Sequence, residues 1–232
     1  MNIEPIATVS TCFGSKFAVP RQPGLCPSAW GELVFHAPYR NADSIRGIEG
    51  FSHLWLIFGF HETIEQGWKP TVRPPRLGGN ERIGVFASRS TFRPNSLGLS
   101  LVALEGIDTT SPHSPILKLG GVDLINGTPI YDIKPYLPYA ESIPNARSGY
   151  AQVEIPRLKV EICDDTQAAF TALPDRAQNL IIEALSLDPR PAVQSQQHDR
   201  TFGAILCGKN IRFTVEGRTC LIVDMTDVVT ND

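Results

Sequence analysis

Glycine and proline divide the first 150 residues of this chain into pieces too short for long helices. The 232-residue sequence holds 19 of each, most of them before residue 150, and both are unfavourable inside a helix. Between them lie short apolar runs at 3–9, 31–36, 51–61, 83–88, 99–107, 115–119 and 130–134, most of them rich in Val, Ile, Leu and Phe. Such runs, separated by frequent turns, predict a β-barrel or sandwich. In 51–61, alternation puts Phe51, His53, Trp55, Ile57 and His61 on one face and Leu54, Leu56, Phe58 and Phe60 on the other. That pattern predicts a strand buried on both faces.

The pattern changes near residue 150, so a β-rich domain is expected over about 1–149 and a small α+β domain over 150–232. RLKVEIC at 157–163 alternates like a half-exposed strand. Residues 165–187 read as helix, broken at Pro174, which can open a second helix at its first position. There Ala177, Leu180, Ile181, Ala184 and Leu185 recur at helical spacing, and DPRP at 188–191 ends the helix. A hairpin around Gly208 and Lys209 should join 201–207 to 210–216, and 219–225 should form the last strand. The polar stretch 193–199 reads as a loop.

Hydrophobic content of 42% and charged content of 19% suit a soluble globular protein. The five cysteines, Cys12, Cys26, Cys163, Cys207 and Cys220, form no Cys-x-x-Cys pair and read as reduced thiols. The start MNIEPIATVS has no basic region or long apolar core, and no 18-residue apolar run occurs. A cytoplasmic protein without a membrane segment is the expectation.

Positive charge is concentrated at 69–98. Lys69, Arg73, Arg76, Arg82, Arg89 and Arg93 are set there against one acid, Glu81, among prolines and glycines. A stiffened cationic loop suits a fixed anionic partner such as a phosphate or carboxylate. The chain after residue 153 is acidic, with 8 Lys+Arg against 12 Asp+Glu. A polyanion would therefore be held mainly by the first domain's patch, aided by Arg190, Arg200, Lys209 and Arg212. Asp123 beside Gly120 and Gly121, and Asp132 near Lys134, are acidic candidates for binding or proton transfer, or else salt bridges and turn caps. His53 and His61 have no third ligand at a matching spacing, so no metal is expected. No Rossmann, P-loop or nucleophile-elbow motif occurs.

Several long strings carry a resemblance: KFAVPRQPGL, FSHLWLIFGFHET, GWKPTVRPPRLGGNERIGVFASRSTFRPNSLGLS, LKLGGVDLINGTP, DIKPYLPYAES and DPRPA. Together they resemble the bacterial TrmO family of S-adenosylmethionine-dependent tRNA methyltransferases. The resemblance implies a mainly β protein whose N-terminal antiparallel β-barrel, not a Rossmann domain, binds S-adenosylmethionine, followed by a small α+β domain that docks tRNA. It implies a homodimer with donor sites near the subunit interface. The implied substrate is a tRNA anticodon stem-loop carrying threonylcarbamoyladenosine, methylated on its exocyclic nitrogen.

Carried over by motif, the donor-binding residues are Pro23, Gly24, Leu25, His61, Glu62, Arg89, Leu99, Gly120, Gly121, Val122 and Asp123. Asp123, Asp132 and Arg89 become catalytic candidates, and Arg73, Arg76, Arg82, Arg93 and Arg190 candidates for RNA. Three positions depart from the pattern: Glu62 replaces a glutamine, Gly121 stands where serine can occur, and Val193 replaces an aromatic residue. Read from the residues alone, two other classes fit. One is a barrel that binds RNA or another anion without chemistry; the other is a methyltransferase acting on a small anionic metabolite.

Overall fold

The structure, a computed structural model, describes residues 2–190 and 200–228; Val193 and the 193–199 stretch lie outside them. It comprises two compact units, each discontinuous in sequence. The first holds the residues up to Ser10, Gly31–Gly120 and Gly127–Glu154; the second holds Thr11–Trp30, Gly121–Asn126 and the chain from Ile155 onward. The break expected near 149 is a single cut, whereas two earlier segments belong with the C-terminal part of the chain.

The first unit is built on a closed six-stranded barrel. In chain order its strands are β1 (Ala7–Thr11), β2 (Trp30–Phe35), β3 (His53–Gly59), β6 (Leu97–Asp108), β7 (Ile116–Gly120) and β8 (Thr128–Pro135). Around the barrel they run β1-β2-β7-β6-β3-β8. A separate two-stranded ladder pairs β4 (Thr71–Val72) with β5 (Ile83–Gly84). Ala7, Val9, Leu33, Leu54, Leu56, Leu117, Leu119 and Ile130 are fully buried.

β3 pairs with β6 and β8, both antiparallel. Its buried face is Leu54, Leu56 and Phe58. Burial on both faces is not observed: His53 is exposed, and Trp55 and Ile57 are half-buried. In a closed barrel only one face of each strand points inward. The outer face is partly covered by Tyr136, packed edge-on to Trp55, and the Trp55 indole N–H donates to Glu141. Opposite Phe58, residue 98 must be glycine, because a Cβ there would sit 2.2 Å from the Phe58 ring. The apolar run 83–88 is also shorter as a strand than expected. It leaves β5 at Gly84 and becomes a 3-10 turn, Val85–Ala87.

The second unit carries a four-stranded sheet in the order β10-β11-β12-β9. Its strands are β9 (Lys159–Ile162), β10 (Phe202–Leu206), β11 (Lys209–Glu216) and β12 (Thr219–Asp227); β9 runs parallel to β12 and the other pairs are antiparallel. The helical stretch divides into α2 (Asp164–Thr171) and α3 (Asp175–Ser186), with α1 (Pro138–Glu141) lying in the first unit. Pro174 is the cap of α3, one residue earlier than expected. The stripe Ala177, Leu180, Ile181, Ala184 and Leu185 is buried as its spacing demands. The hairpin turn is Cys207 and Gly208, both at positive φ, so it is a type I′ turn one residue before the expected pair.

All five cysteines are free thiols. Burial pushes four of them up from the ordinary 9.0: Cys12 to about 11, and Cys26, Cys207 and Cys220 to about 12. All four lie in the second unit. A thiol whose folded pKa is raised favours the folded state fully below its unfolded value, and that contribution fades as pH climbs to the folded value. The second unit should therefore lose stability from about pH 9 upward. Thiolate absorbance followed across native and denatured titrations checks this; native thiols ionising near pH 9 would contradict it.

Candidate donor and RNA sites

In the second unit two glycine turns interlock. Gly24, at φ +73°, donates its N–H to the Gly121 carbonyl at 2.9 Å, and the Gly121 N–H donates to Ala29 O at 2.8 Å. Gly121 has φ +63°, and a Cβ there would lie 3.5 Å from Gly24 Cα. Space therefore permits a small side chain at 121, and the left-handed backbone is what favours glycine. Val122 is fully buried and anchors the second turn, while Pro23, Leu25 and Asp123 are half-buried beside the glycines. Pro23, Gly24, Leu25, Gly121, Val122 and Asp123 thus share one rigid element.

Residues that the sequence did not single out hold that element. Arg157 donates to Leu25 O and to Ser186 Oγ, both at 2.9 Å. The Glu183 carboxylate accepts from Ser28 N at 2.9 Å and from Ser28 Oγ at 3.0 Å. Arg176 donates to the Ser28 and Ala29 carbonyls and lies over the Trp30 ring. Ser28 and Glu183 are 155 residues apart, so no local pattern could have paired them. Glu183→Ala removes both bonds to Ser28, and donor affinity should fall about tenfold, the effect expected for hydrogen bonds to a charged group. Calorimetry with S-adenosylmethionine checks it, and unchanged affinity would contradict it.

The remaining donor and catalytic candidates lie in the first unit. β3 ends at Gly59, and His61, half-buried, and Glu62, exposed, open the 3-10 turn His61–Gln66. The entry to that turn is tied down by Phe60 N donating to Ser96 O at 2.8 Å. Leu99 sits on β6 opposite Ile57 and is 53% exposed. Asp132 on β8 is also opposite Ile57, so the register sets Leu99, Ile57 and Asp132 in one row on the barrel's outer face. The Asp132 carboxylate forms a salt bridge with Lys134 at 2.9 Å and accepts from Ile133 N. Gly120 is buried, and a Cβ there would lie 2.2 Å from the Glu105 carboxylate. Arg89 is exposed just beyond the Val85–Ala87 turn.

The arginines divide by task. Arg73 is exposed with no hydrogen bond among the described residues, and Arg82 is exposed and donates to Thr71 Oγ1. Arg76 instead donates to the Ala151 and Val153 carbonyls. Arg93 donates to Val85 O at 3.2 Å and Ser88 O at 2.8 Å, locking the turn between them. Arg190 differs most from the expectation of a docking residue. It is 7% exposed and grips Asp188 with two bonds of 2.7 and 2.8 Å, so its guanidinium is not presented to an external phosphate. Among the described residues no cluster of His, Cys, Asp or Glu could hold a metal ion, and no helix is long and apolar enough to cross a membrane.

A closed barrel in place of a doubly wound sheet sets the first unit apart from the dinucleotide-binding α/β folds. Comparison with known proteins narrows this. Residues 8–142 match the tRNA-methyltransferase O N-terminal domain and residues 155–228 match the TrmO C-terminal domain. The chain is 49% identical over 217 residues to the tRNA (adenine(37)-N6)-methyltransferase of Escherichia coli K12, covering 91% of this chain and 92% of that one. It is 42% identical over 209 residues to a putative S-adenosylmethionine-dependent methyltransferase, RcsF, of Pseudomonas aeruginosa, with 88% of each covered. The crystal structure of TrmO from Pseudomonas aeruginosa superposes with a TM-score of 0.79 at 32% identity, over 97% of this chain and 98% of that one. The chain belongs to the TrmO family of tRNA methyltransferases, and the mainly β fold expected of that family is the fold observed.

Proposed function

We propose that this protein moves a methyl group from S-adenosylmethionine to the exocyclic nitrogen of threonylcarbamoyladenosine, the adenosine 3′ to the anticodon of tRNA. Family membership across both domains carries the reading. The Escherichia coli relative's adenine(37)-N6 specificity supports the position of attack. The interlocked turns at Gly24 and Gly121 suit the donor, because backbone there approaches a ligand with no Cβ in the way.

S-adenosylmethionine, when bound, supplies a methyl group on a positively charged sulfur. The protein's task is then alignment, and a cradle fixed by Pro23, Val122, Arg157 and Glu183 loses little entropy in achieving it. His61, Glu62, Leu99 and Gly120 are proposed as donor residues by motif alone. The acceptor nitrogen is urea-like, so its proton must leave as the new C–N bond forms. Asp123 is the first candidate to receive it and Asp132 the second. Arg89 is proposed to hold a carboxylate of donor or substrate, and Arg73 and Arg82 to meet phosphates. Residues 1–149 carry donor binding and chemistry in this reading, and 150–232 dock tRNA, with Arg212 exposed there. A cytoplasmic homodimer fits the exposed Leu99, Tyr139 and Ile143, which a second copy would cover.

The test is transfer of radiolabel from S-adenosylmethionine to two tRNA preparations, one carrying threonylcarbamoyladenosine and one from cells unable to make it. Label only in the first is expected. Label in neither, with donor binding intact, would point to another methyl acceptor and overturn the reading.

A further inference from the structure

Phe86 is 74% exposed and Trp68 55% exposed, although both belong to a tightly bonded part of the first unit. The β4–β5 ladder pairs Thr71 with Gly84, and Val85 N continues it by donating to Pro70 O at 3.0 Å. Beyond that bond the chain leaves the ladder in the Val85–Ala87 turn. Lys69 N in turn donates to Phe92 O, and the Lys69 ammonium lies 4.2 Å from the Phe92 ring centre. The Val85–Ala87 turn is held by a buried Val85. Its carbonyl receives Ser88 N, Ser88 Oγ and the Arg93 guanidinium, and the guanidinium also lies 5.8 Å from the Phe86 ring centre. An exposed aromatic ring on a loose loop would be unremarkable. A ring held outward by a bonded turn, with the Arg93 guanidinium near it and Lys69, Arg73, Arg82 and Arg89 in the same segment, is a fixed flat surface in a cationic stretch of chain.

Alternating aromatic rings and cations suit unpaired nucleotides: bases stack on the rings while the cations meet the phosphates. The segment 68–93 has both, with Glu81 as its single acid. We propose that Phe86 is a base-stacking residue for the single-stranded anticodon loop, with the exposed Trp68 a second ring in the same segment and Arg93 as the positioning residue that fixes the turn. This rests on the tRNA reading above and adds how the loop is gripped. The first-unit arginines supply affinity without base identity, and Phe86 supplies a surface that only an unstacked, splayed base can use.

The experiment uses the full-length protein and an anticodon stem-loop RNA with 2-aminopurine placed in turn at each loop position, whose fluorescence is quenched by stacking. Wild type should quench at one position at least. Phe86→Ala should restore that fluorescence, weaken RNA binding at least about fivefold, the low end for removal of one base–aromatic stack, and raise KM for tRNA with donor affinity unchanged. Phe86→Trp should quench like wild type. Because Phe is uncharged, Phe86→Ala should leave the salt dependence of binding as it is, whereas Arg73→Ala should flatten it. Unchanged fluorescence and KM in Phe86→Ala would overturn the proposal while leaving the methyltransferase reading standing. So would a Phe86→Ala protein that becomes monomeric by light scattering, since the ring would then be covered by a second copy. If wild type methylates no tRNA yet quenches the probe through Phe86, the methyl acceptor is wrong and the stacking assignment stands.

Discussion

Gly121→Val should cut S-adenosylmethionine affinity at least tenfold while the barrel's own unfolding is unchanged. Residue 121 sits at φ +63°, a conformation that adds about 1–2 kcal/mol for any residue with a Cβ and more for a branched one. The Cβ itself has room, at 3.5 Å from Gly24 Cα. A second γ carbon has less, because Gly24 and Gly121 are joined by a 2.9 Å hydrogen bond. The turn must open, and with it the element carrying Pro23, Gly24, Leu25, Val122 and Asp123. Asparagine tolerates the left-handed region, so Gly121→Asn separates backbone strain from side-chain bulk and should lose less than valine. Calorimetry measures donor affinity, and circular dichroism shows whether the chain remains folded. A folded Gly121→Val protein with normal donor affinity would remove the interlocked turns from the donor site.

What the sequence makes legible here is what depends on neighbours along the chain. The stripe Ala177, Leu180, Ile181, Ala184 and Leu185 announces a helix because burial repeats every 3.6 residues. The β10–β11 hairpin is visible because Gly208 can take positive φ. The turn still falls one residue early, since Cys207 occupies a conformation its side chain does not advertise. In β3 an apolar run with two good faces says strand, but barrel closure decides which face is inside. Burial then falls on Leu54, Leu56 and Phe58.

The site divides the same way. Long motifs point to the glycine turns, yet nothing near residue 24 indicates that Arg157 and Glu183 hold the turn from the far end of the chain. The cationic block is plain as composition, but composition does not say which guanidinium serves a backbone carbonyl. Arg76 and Arg93 are committed to holding loops, and Arg73 is exposed to act on something else. For the same reason Phe86 went unnoticed: an aromatic residue in an apolar run reads as core until its exposure is known.

Arg190 gives the second large effect. Asp188 follows α3 at φ +50° and returns its carboxylate to the Arg190 guanidinium, which is 7% exposed. Removing the acid takes away the carboxylate that the guanidinium grips with two bonds, and because Asp188 is 30% exposed the loss should lie at or below the lower end of the about 3–5 kcal/mol typical of a fully buried pair. Asp188→Ala should come closest to that range, because it also places alanine in the left-handed region. Asp188→Gly relieves the backbone and so should be milder by about 1 kcal/mol, though still far less stable than wild type. Arg190→Met removes the charge and keeps the volume, and should be the mildest of the three, since an apolar replacement needs no partner. Thermal and urea melts order the series. RNA binding across a salt titration then decides what Arg190 is for. If it is structural, Arg190→Met binds tRNA with the wild-type salt slope. A slope lower by about one phosphate contact, with an unchanged melting temperature, would return Arg190 to the docking surface that its sequence setting suggests.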